Sequence, residues 1–212
     1  MKNHKQMCGL AVAIDYLGDR WTLLIVRELL ITPRSFSELQ GCLPGCSPNL
    51  LVSRLKEMTR NGLVDQRSED SKKRGLYQLT ELGHTLREPV ESLVRWGGNL
   101  IPIQKSLRDK RPHWLEVAIP ALLRPKLKIG SRYKIQFLVD EYEFAIFAND
   151  LELDIIRGKA ENPEISLKMP YEKLLGLVSG YIPAKALASD EVSSKKYPTK
   201  MTAVQRLQEV LA

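Results

Sequence analysis

Apolar residues in the first part of the chain recur at helical spacing, and capping and stop signals divide them into segments. Leu10, Ile14 and Leu17 lie on one face of a first helix, which ends at the glycine that follows. A second helix is predicted over 20–31, because its apolar residues recur three and four positions apart and Pro33 stops it. The chain is therefore predicted to begin with two short amphipathic helices.

Two capped helices follow, separated by a short loop. The segment SFSE at 35–38 is a capping box, in which the serine and the glutamate each satisfy a free backbone amide of a helix predicted at 36–43. After the loop LPGC, Ser47 caps the next helix, Pro48 suits its first position, and the Asn-Gly pair at 61–62 ends it. This order is typical of a helix-turn-helix.

The helix that begins at Pro48 has two chemically distinct faces. Its inward positions carry apolar residues: Leu51, Leu55 and Met58. Its outward positions carry polar residues: Asn49, Ser53 and Lys56, with Arg54 beside them. A solvated surface helix would show the same pattern when considered alone. The elements on either side decide between a surface helix and a partner-binding helix.

A hairpin is predicted directly after this helix. The segments LVDQRS and GLYQLT have strand-like composition and are joined by the polar tip EDSKKR, which contains Lys72, Lys73 and Arg74. A capped helix pair followed by a hairpin with a basic tip is the order of a winged helix-turn-helix, which lays its second helix in the major groove of DNA. Asparagine can pair with adenine there, Arg or Lys with guanine, and the cations of the wing with phosphates.

A longer helix is predicted from Thr80 to about Gly97-Gly98, with a kink at Pro89. Its apolar stripe is wider than a small domain can cover alone, so we expect it to be the main dimer contact. The stripe consists of Leu82, Leu86, Val90, Leu93 and Trp96.

The second half of the chain changes character. Between 132 and 169, β-rich runs alternate with polar turns, and helical spacing returns in YEKLLGLVSGY and MTAVQRLQEVL. We therefore expect an α+β protein with two domains: a DNA-binding and dimerisation domain at 1–105 and an α+β domain at 106–212, joined by the polar linker QKSLRDKRPH.

The N-terminal motifs resemble those of the HxlR-type transcriptional regulators. The resemblance is carried by GDRWTLLIVREL, RSFSEL, LPGCSPNLLVSRLKEM and LTELG, although Gly9 and Cys46 depart from the residues usual in the family. It implies a cytoplasmic homodimer that binds double-stranded DNA at an inverted-repeat operator. The residues expected to contact DNA are Arg34, Ser35, Ser47, Asn49, Leu50, Ser53, Arg54, Lys56, Lys72, Lys73 and Arg74.

The C-terminal half is similar to the sterol carrier protein fold, over the segment from LVDEYEFAIFAND to YIPAKAL. That resemblance implies a curved, mostly antiparallel sheet and helices that enclose an apolar cavity for a small apolar or amphipathic ligand. A plain structural domain with a filled core is the alternative. A carrier protein whose helical half only dimerises is the competing function.

Composition and the remaining chemistry narrow the function further. The net charge of +7 and the pI near 9.3 favour a polyanionic partner. The histidines are scattered, GLVSG is not a nucleophile elbow, and no glycine-rich phosphate loop is present, so we expect no enzyme, no cofactor and no metal site. No apolar run is long enough for a membrane span. The HxlR resemblance implies that Cys8 occupies a position at which some family members have a cysteine that senses oxidants. Cys42 and Cys46 are expected to be inert.

Overall fold

The computed structural model describes residues 4–67, 75–100, 109–187, 191–194, 196–197 and 200–211. The chain forms two compact units, Met1–Val90 and Glu91–Ala212. This division falls ahead of the linker in which the sequence analysis placed the domain boundary. The assignment of functions to 1–105 and 106–212 stays a prediction.

The N-terminal unit contains the predicted helices and hairpin, in the predicted order. Its elements are α1 (Gly9–Leu17), α2 (Arg20–Ile31), α3 (Phe36–Cys42), α4 (Pro48–Arg60), β1 (Val64–Arg67), β2 (Leu76–Leu79) and α5 (Glu81–His84). β1 and β2 pair in antiparallel register, from Val64 opposite Leu79 to Arg67 opposite Leu76. The expectation of a helix-turn-helix followed by a hairpin is confirmed.

The prediction of one long helix from Thr80 is wrong in one respect. The chain forms α5 and then a separate helix, α6 (Arg87–Gly98), with a break at Thr85 and Leu86. Pro89 lies in the first turn of α6, where the missing backbone N–H has no helical partner to lose. The proline therefore belongs to the start of a new helix and does not kink a longer one.

The C-terminal unit is an α+β assembly around a mixed sheet. After a 3₁₀ turn at Pro112–Trp114, its elements are α7 (Leu115–Leu123), β3 (Arg132–Val139), β4 (Tyr142–Asn149), β5 (Glu152–Arg157), β6 (Ile165–Met169), α8 (Tyr171–Val178), β7 (Val192–Ser194) and α9 (Lys200–Leu211). The strand order is β5-β4-β3-β6-β7, in which β3 and β6 run parallel and the other neighbours antiparallel. The tight turns after β3 and β4 each use an aspartate with positive φ, a residue type that tolerates this conformation.

A single apolar core joins this sheet to its helices. Phe137 and Phe144 are almost fully buried and stack with their ring centroids 5.0 Å apart. Ile119 of α7, Leu174 of α8 and Leu207 of α9 are fully buried in the same core. No helix within the described ranges is both long and apolar enough to cross a membrane.

Candidate nucleic-acid interface

Helix α4 is fixed at both ends by the residues that predicted it. The Ser47 hydroxyl accepts a hydrogen bond from the Leu50 amide at 3.3 Å, and Pro48 occupies the first helical position. At the other end Asn61 caps the helix, and Gly62 takes the left-handed conformation with φ of +69°. Ser47 is therefore a helix cap, and its role as a DNA contact stays a prediction.

The two faces of α4 are separated as predicted. Leu51, Leu55 and Met58 are at most 2% exposed and anchor the helix in the core of the unit. The side chains of Asn49, Ser53 and Lys56 are exposed, at positions i, i+4 and i+7 of the opposite face. Among the described residues, none forms a hydrogen bond or ion pair with these three side chains. Leu50 is half-buried beside them.

Arg54 is engaged within the chain. Its guanidinium forms a hydrogen-bonded ion pair with Glu57 on the next turn of α4, and its Nε lies 3.4 Å from Asp19 Oδ2. Asp19 in turn caps α2 by accepting from the Trp21 amide at 2.8 Å. A second link comes from Asn61, whose side-chain amide donates to the Tyr16 carbonyl at 3.1 Å. These contacts hold α4 against the turn between α1 and α2.

Arg34 connects the helix pair to the wing. Its backbone pairs with Tyr77 of β2 in both directions, with N···O distances of 3.0 and 2.8 Å. Its side chain lies 3.2 Å from Glu28 Oε2, and Arg27 binds the other oxygen of the same carboxylate at 2.7 Å. Glu28 is fully buried, so both cations compensate a charge that would otherwise be costly. Sequence reasoning missed Glu28, although an acidic residue next to the apolar stripe of α2 was a usable signal.

The capping box at the start of α3 is complete. The Ser35 hydroxyl accepts from the Glu38 amide at 3.3 Å, and the Ser35 amide donates to the Glu38 carboxylate at 2.7 Å. The Ser35 hydroxyl also donates to that carboxylate, and these hydrogen bonds lower the pKa of Glu38. Ser35 therefore positions α3, and its role as a DNA contact stays a prediction.

The wing is described only at its base. The cations predicted at its tip, Lys72, Lys73 and Arg74, lie outside the described residues. Their assignment as phosphate contacts stays a prediction.

Two residues of LTELG hold the base of the wing and were missed as functional from the sequence. Thr80 caps α5 by accepting from the Gly83 amide at 3.0 Å, and its hydroxyl donates to the Gly62 carbonyl. Gly83 approaches the backbone so closely that a Cβ would lie 2.1 Å from the Leu63 carbonyl oxygen. Only glycine fits here, because this carbonyl belongs to the segment that joins α4 to β1.

The residues predicted to form the dimer contact differ in exposure. Leu82, Leu93 and Trp96 are 51%, 47% and 66% exposed, whereas Leu86 is half-buried and Val90 is buried within the chain. Helix α1 adds further exposed apolar residues, which the sequence analysis did not include in the dimer contact. Leu10 is 70% exposed and Ile14 46%, and neighbouring Met7, Val12 and Tyr16 are also exposed.

The three cysteines occupy different environments and form no disulfide. Cys8 is exposed at the N-cap of α1, and the neighbouring backbone amides of Ala11 and Leu10 lower the pKa of its thiol. Cys42 and Cys46 are buried, and burial raises the pKa of Cys46.

Comparisons with known proteins agree with this geometry. The family model described as HxlR-like helix-turn-helix matches residues 16–105. The HTH-type transcriptional regulators YkvN and YvaP of Bacillus subtilis are 30% and 34% identical over 95 and 96 residues, in both cases 44% of this chain and 80% and 89% of those proteins. YodB of the same organism, also an HTH-type transcriptional regulator, is 32% identical over 85 residues, 40% of this chain and 76% of YodB. The chain belongs to the HxlR-like helix-turn-helix family of transcriptional regulators.

Proposed function

We propose that the protein is a cytoplasmic bacterial transcription regulator that binds an inverted-repeat operator as a homodimer, with α4 in the major groove. The observation that carries this proposal is the free polar face of α4. Asn49, Ser53 and Lys56 are exposed on a helix that is capped at both ends and anchored by three buried residues. Such a helix can offer side chains to base edges without losing its place in the fold.

The proposed contacts follow from the chemistry of these side chains. Asn49 pairs with an adenine through its amide, Ser53 bonds to either a base or a phosphate, and Lys56 binds guanine or a phosphate. Leu50 provides apolar contact at the edge of the same face. The proposed roles of Lys72, Lys73 and Arg74 are phosphate contacts that strengthen binding to all sequences alike.

Arg54 takes a different role in this proposal from the one expected for an exposed arginine. Its pairing with Asp19 and Glu57 supports a positioning function, in which it fixes the angle of α4 relative to α2. Arg34 likewise pairs with Glu28, and Ser35 and Ser47 cap helices. Their side chains are therefore already held in place, and any contact they make with a phosphate is made from that position.

Homodimerisation is supported by exposed apolar side chains. Those of α1, together with Leu82, Leu93 and Trp96, present more apolar surface than solvent-exposed helices usually carry. A second copy of the chain is the proposed occupant. Half-sites would then lie about one helical turn apart, ~34–36 Å centre to centre.

The C-terminal unit is proposed to bind a small apolar or amphipathic effector. Its strand order and mixed sheet are compatible with the sterol carrier resemblance. An effector regulates DNA binding only if it binds the two states of the protein with different affinity, and a coupling of about 1–3 kcal/mol is typical.

Selection of binding sites from a pool of random duplexes tests the proposal. Wild type should enrich an inverted repeat, and a variant with Lys72, Lys73 and Arg74 changed to alanine should bind every duplex more weakly with a flatter salt dependence. A carrier protein whose helical half only dimerises would enrich no sequence.

The proposed dimer is tested by analytical ultracentrifugation. Leu82→Glu with Leu93→Glu should yield monomers, whereas Glu81→Gln, a change at an exposed polar residue of α5, should leave the dimer intact.

A second form of regulation is favoured by the environment of Cys8. Its thiol is exposed with a lowered pKa, which are the conditions for reaction with oxidants or electrophiles. Cys8 should therefore react with iodoacetamide faster than Cys42 or Cys46, as measured by peptide mass spectrometry. Operator affinity that is identical before and after modification of Cys8 would remove it from the regulatory mechanism.

A further inference from the structure

A cavity of about 400 Å³ opens within the C-terminal unit, beside the 3₁₀ turn Pro112–Trp114 and α8. Trp114, Tyr171 and Leu175 provide apolar walls, and Ser179 and Tyr181 lie at the end of α8. The volume falls within the range of sites that enclose small organic molecules, roughly 300–1,000 Å³. A cavity of this volume accommodates a single small ligand.

The position of this cavity differs from the one that the sterol carrier resemblance implies. Between the sheet and its helices, the described side chains pack into one apolar core that includes Phe137, Phe144 and Ile119. The cavity instead adjoins α8 and the end of α6, where Gly98 contributes to its wall.

The charged groups at the cavity are arranged in pairs. Lys110 forms a hydrogen-bonded ion pair with Glu172, and Asp109 accepts from Arg111 Nε at 3.3 Å. Each carboxylate therefore has a cation beside it. The two pairs together carry no net charge and so offer a charged ligand little attraction, whereas a neutral ligand leaves both pairs in place and gains apolar contact with the walls.

We propose that this cavity binds a small, neutral, aromatic or amphipathic molecule, with its apolar body against Trp114 and Leu175 and its polar end toward Lys110 and Glu172. The inference rests on the proposed function, since it gives the effector a site and a chemical class.

The contacts of α7 connect this site to the helix proposed for dimerisation. Trp114 leads directly into α7. Near the other end of α7, the Ala121 carbonyl accepts from Arg95 Nη1 at 3.0 Å, and Arg124 Nε lies 3.3 Å from the buried carboxylate of Glu91. Arg95 and Glu91 belong to α6, which also carries Leu93 and Trp96. A ligand that packs against Trp114 therefore lies at one end of α7, and the other end of α7 contacts the helix proposed to join two copies of the chain.

Two fluorescent probes that differ by one sulfonate group test the proposal on the full-length protein. Neutral N-phenyl-1-naphthylamine should bind saturably and more tightly than the anionic 8-anilinonaphthalene-1-sulfonate. Ser179→Trp, which fills the cavity, should weaken binding of the neutral probe by about tenfold or more, equivalent to ~1.4 kcal/mol. Ser193→Trp makes the same change at an exposed serine of β7 outside the cavity and should leave the affinity within about twofold, equivalent to ~0.4 kcal/mol.

A third variant tests the cavity independently, in case Ser179→Trp does not fold. Tyr181 is 65% exposed at the cavity, and Tyr181→Ala should weaken the neutral probe while leaving the circular dichroism spectrum unchanged. The proposal is overturned if the neutral probe does not bind, if neither Ser179→Trp nor Tyr181→Ala weakens it, or if the anionic probe binds more tightly. Operator binding is measured on the same samples. A protein that binds the probe and no DNA would contradict the proposed regulator and leave the cavity assignment intact.

Discussion

The serine caps of the N-terminal unit and the buried Gln136 of the C-terminal unit form hydrogen bonds over very different sequence distances. In the N-terminal unit, Ser35 and Ser47 each bond to a residue three positions away. In the C-terminal unit, the buried Gln136 bonds to the Gly158 carbonyl and the Ala160 amide, 22 and 24 residues away. Short-range bonds form with their own helix, whereas long-range bonds form only when the whole sheet is assembled. A substitution should therefore have a local effect in the first case and a unit-wide effect in the second.

The largest loss of stability is expected at Gly83 of the N-terminal unit, because its close contact is with a backbone group outside its own helix. Gly83→Ala places a methyl group against the Leu63 carbonyl and should lower the free energy of unfolding by about 3 kcal/mol. Gly41→Ala is the matched control, because a Cβ at Gly41 meets nothing within 4 Å. It should leave stability unchanged or raise it by up to about 1 kcal/mol, since alanine favours a helix. Urea unfolding that treats the two variants alike would show that the close approach is unimportant.

The next effect is expected at Gln136. Gln136→Leu removes bonds to the Phe144 and Gly158 carbonyls and to the Ala160 amide, and should cost about 2 kcal/mol because buried polar groups lose their partner. Hydrogen exchange should quicken in peptides of both β4 and β5. Gln205→Leu makes the same change at an exposed position of α9 and should alter neither stability nor exchange. Faster exchange confined to β3 would contradict the unit-wide effect.

A smaller effect is expected at the cap of α4. Ser47→Ala should cost about 1 kcal/mol, since it leaves the Leu50 amide without its partner. The damage should stay within the N-terminal unit, so probe binding by the C-terminal unit should be unchanged. Ser53→Ala is the control, at an exposed serine of the same helix whose hydroxyl bonds to none of the described residues. Equal stability of the two variants would show that the Ser47 cap does not stabilise the N-terminal unit.

The smallest effect is expected from the pH dependence of the capping box. The lowered pKa of Glu38 means that its stabilising contribution is present above the ordinary glutamate range and is lost as pH falls through the lowered value. The melting temperature of wild type should exceed that of Glu38→Gln at neutral pH, and the difference should shrink on acidification. In a Ser35→Ala background the shrinkage should be smaller. A difference independent of pH would contradict this role of the carboxylate.

The difference between short-range and long-range contacts also explains how much of the molecule could be predicted from its sequence. The ends of α2, α3 and α4 were predicted because their caps lie within a few residues of the helices they begin or end. Helix α7 was not predicted, since it is buried on nearly all sides and has no polar stripe. β7 was also missed, because a three-residue strand carries too little pattern and depends on pairing with β6.

Side-chain roles were harder to predict than helix ends. The outward position of Asn49 followed from spacing, but the pairing of Arg54 with Asp19 did not, since it joins residues 35 positions apart in different helices. Spacing indicates which side of a helix a residue occupies. It does not indicate which distant carboxylate will meet it there.

The central claim is that the free face of α4 reads DNA sequence, and one ratio tests it most directly. The affinity for the selected operator is divided by the affinity for a scrambled duplex, at one fixed salt concentration. Asn49→Ala should lower this ratio about 5- to 150-fold, equivalent to ~1–3 kcal/mol, because the amide contact to a base edge is lost. Asn149→Ala, the same change at an exposed end of β4, should leave the ratio unchanged. An Asn49→Ala ratio equal to that of wild type would contradict the claim.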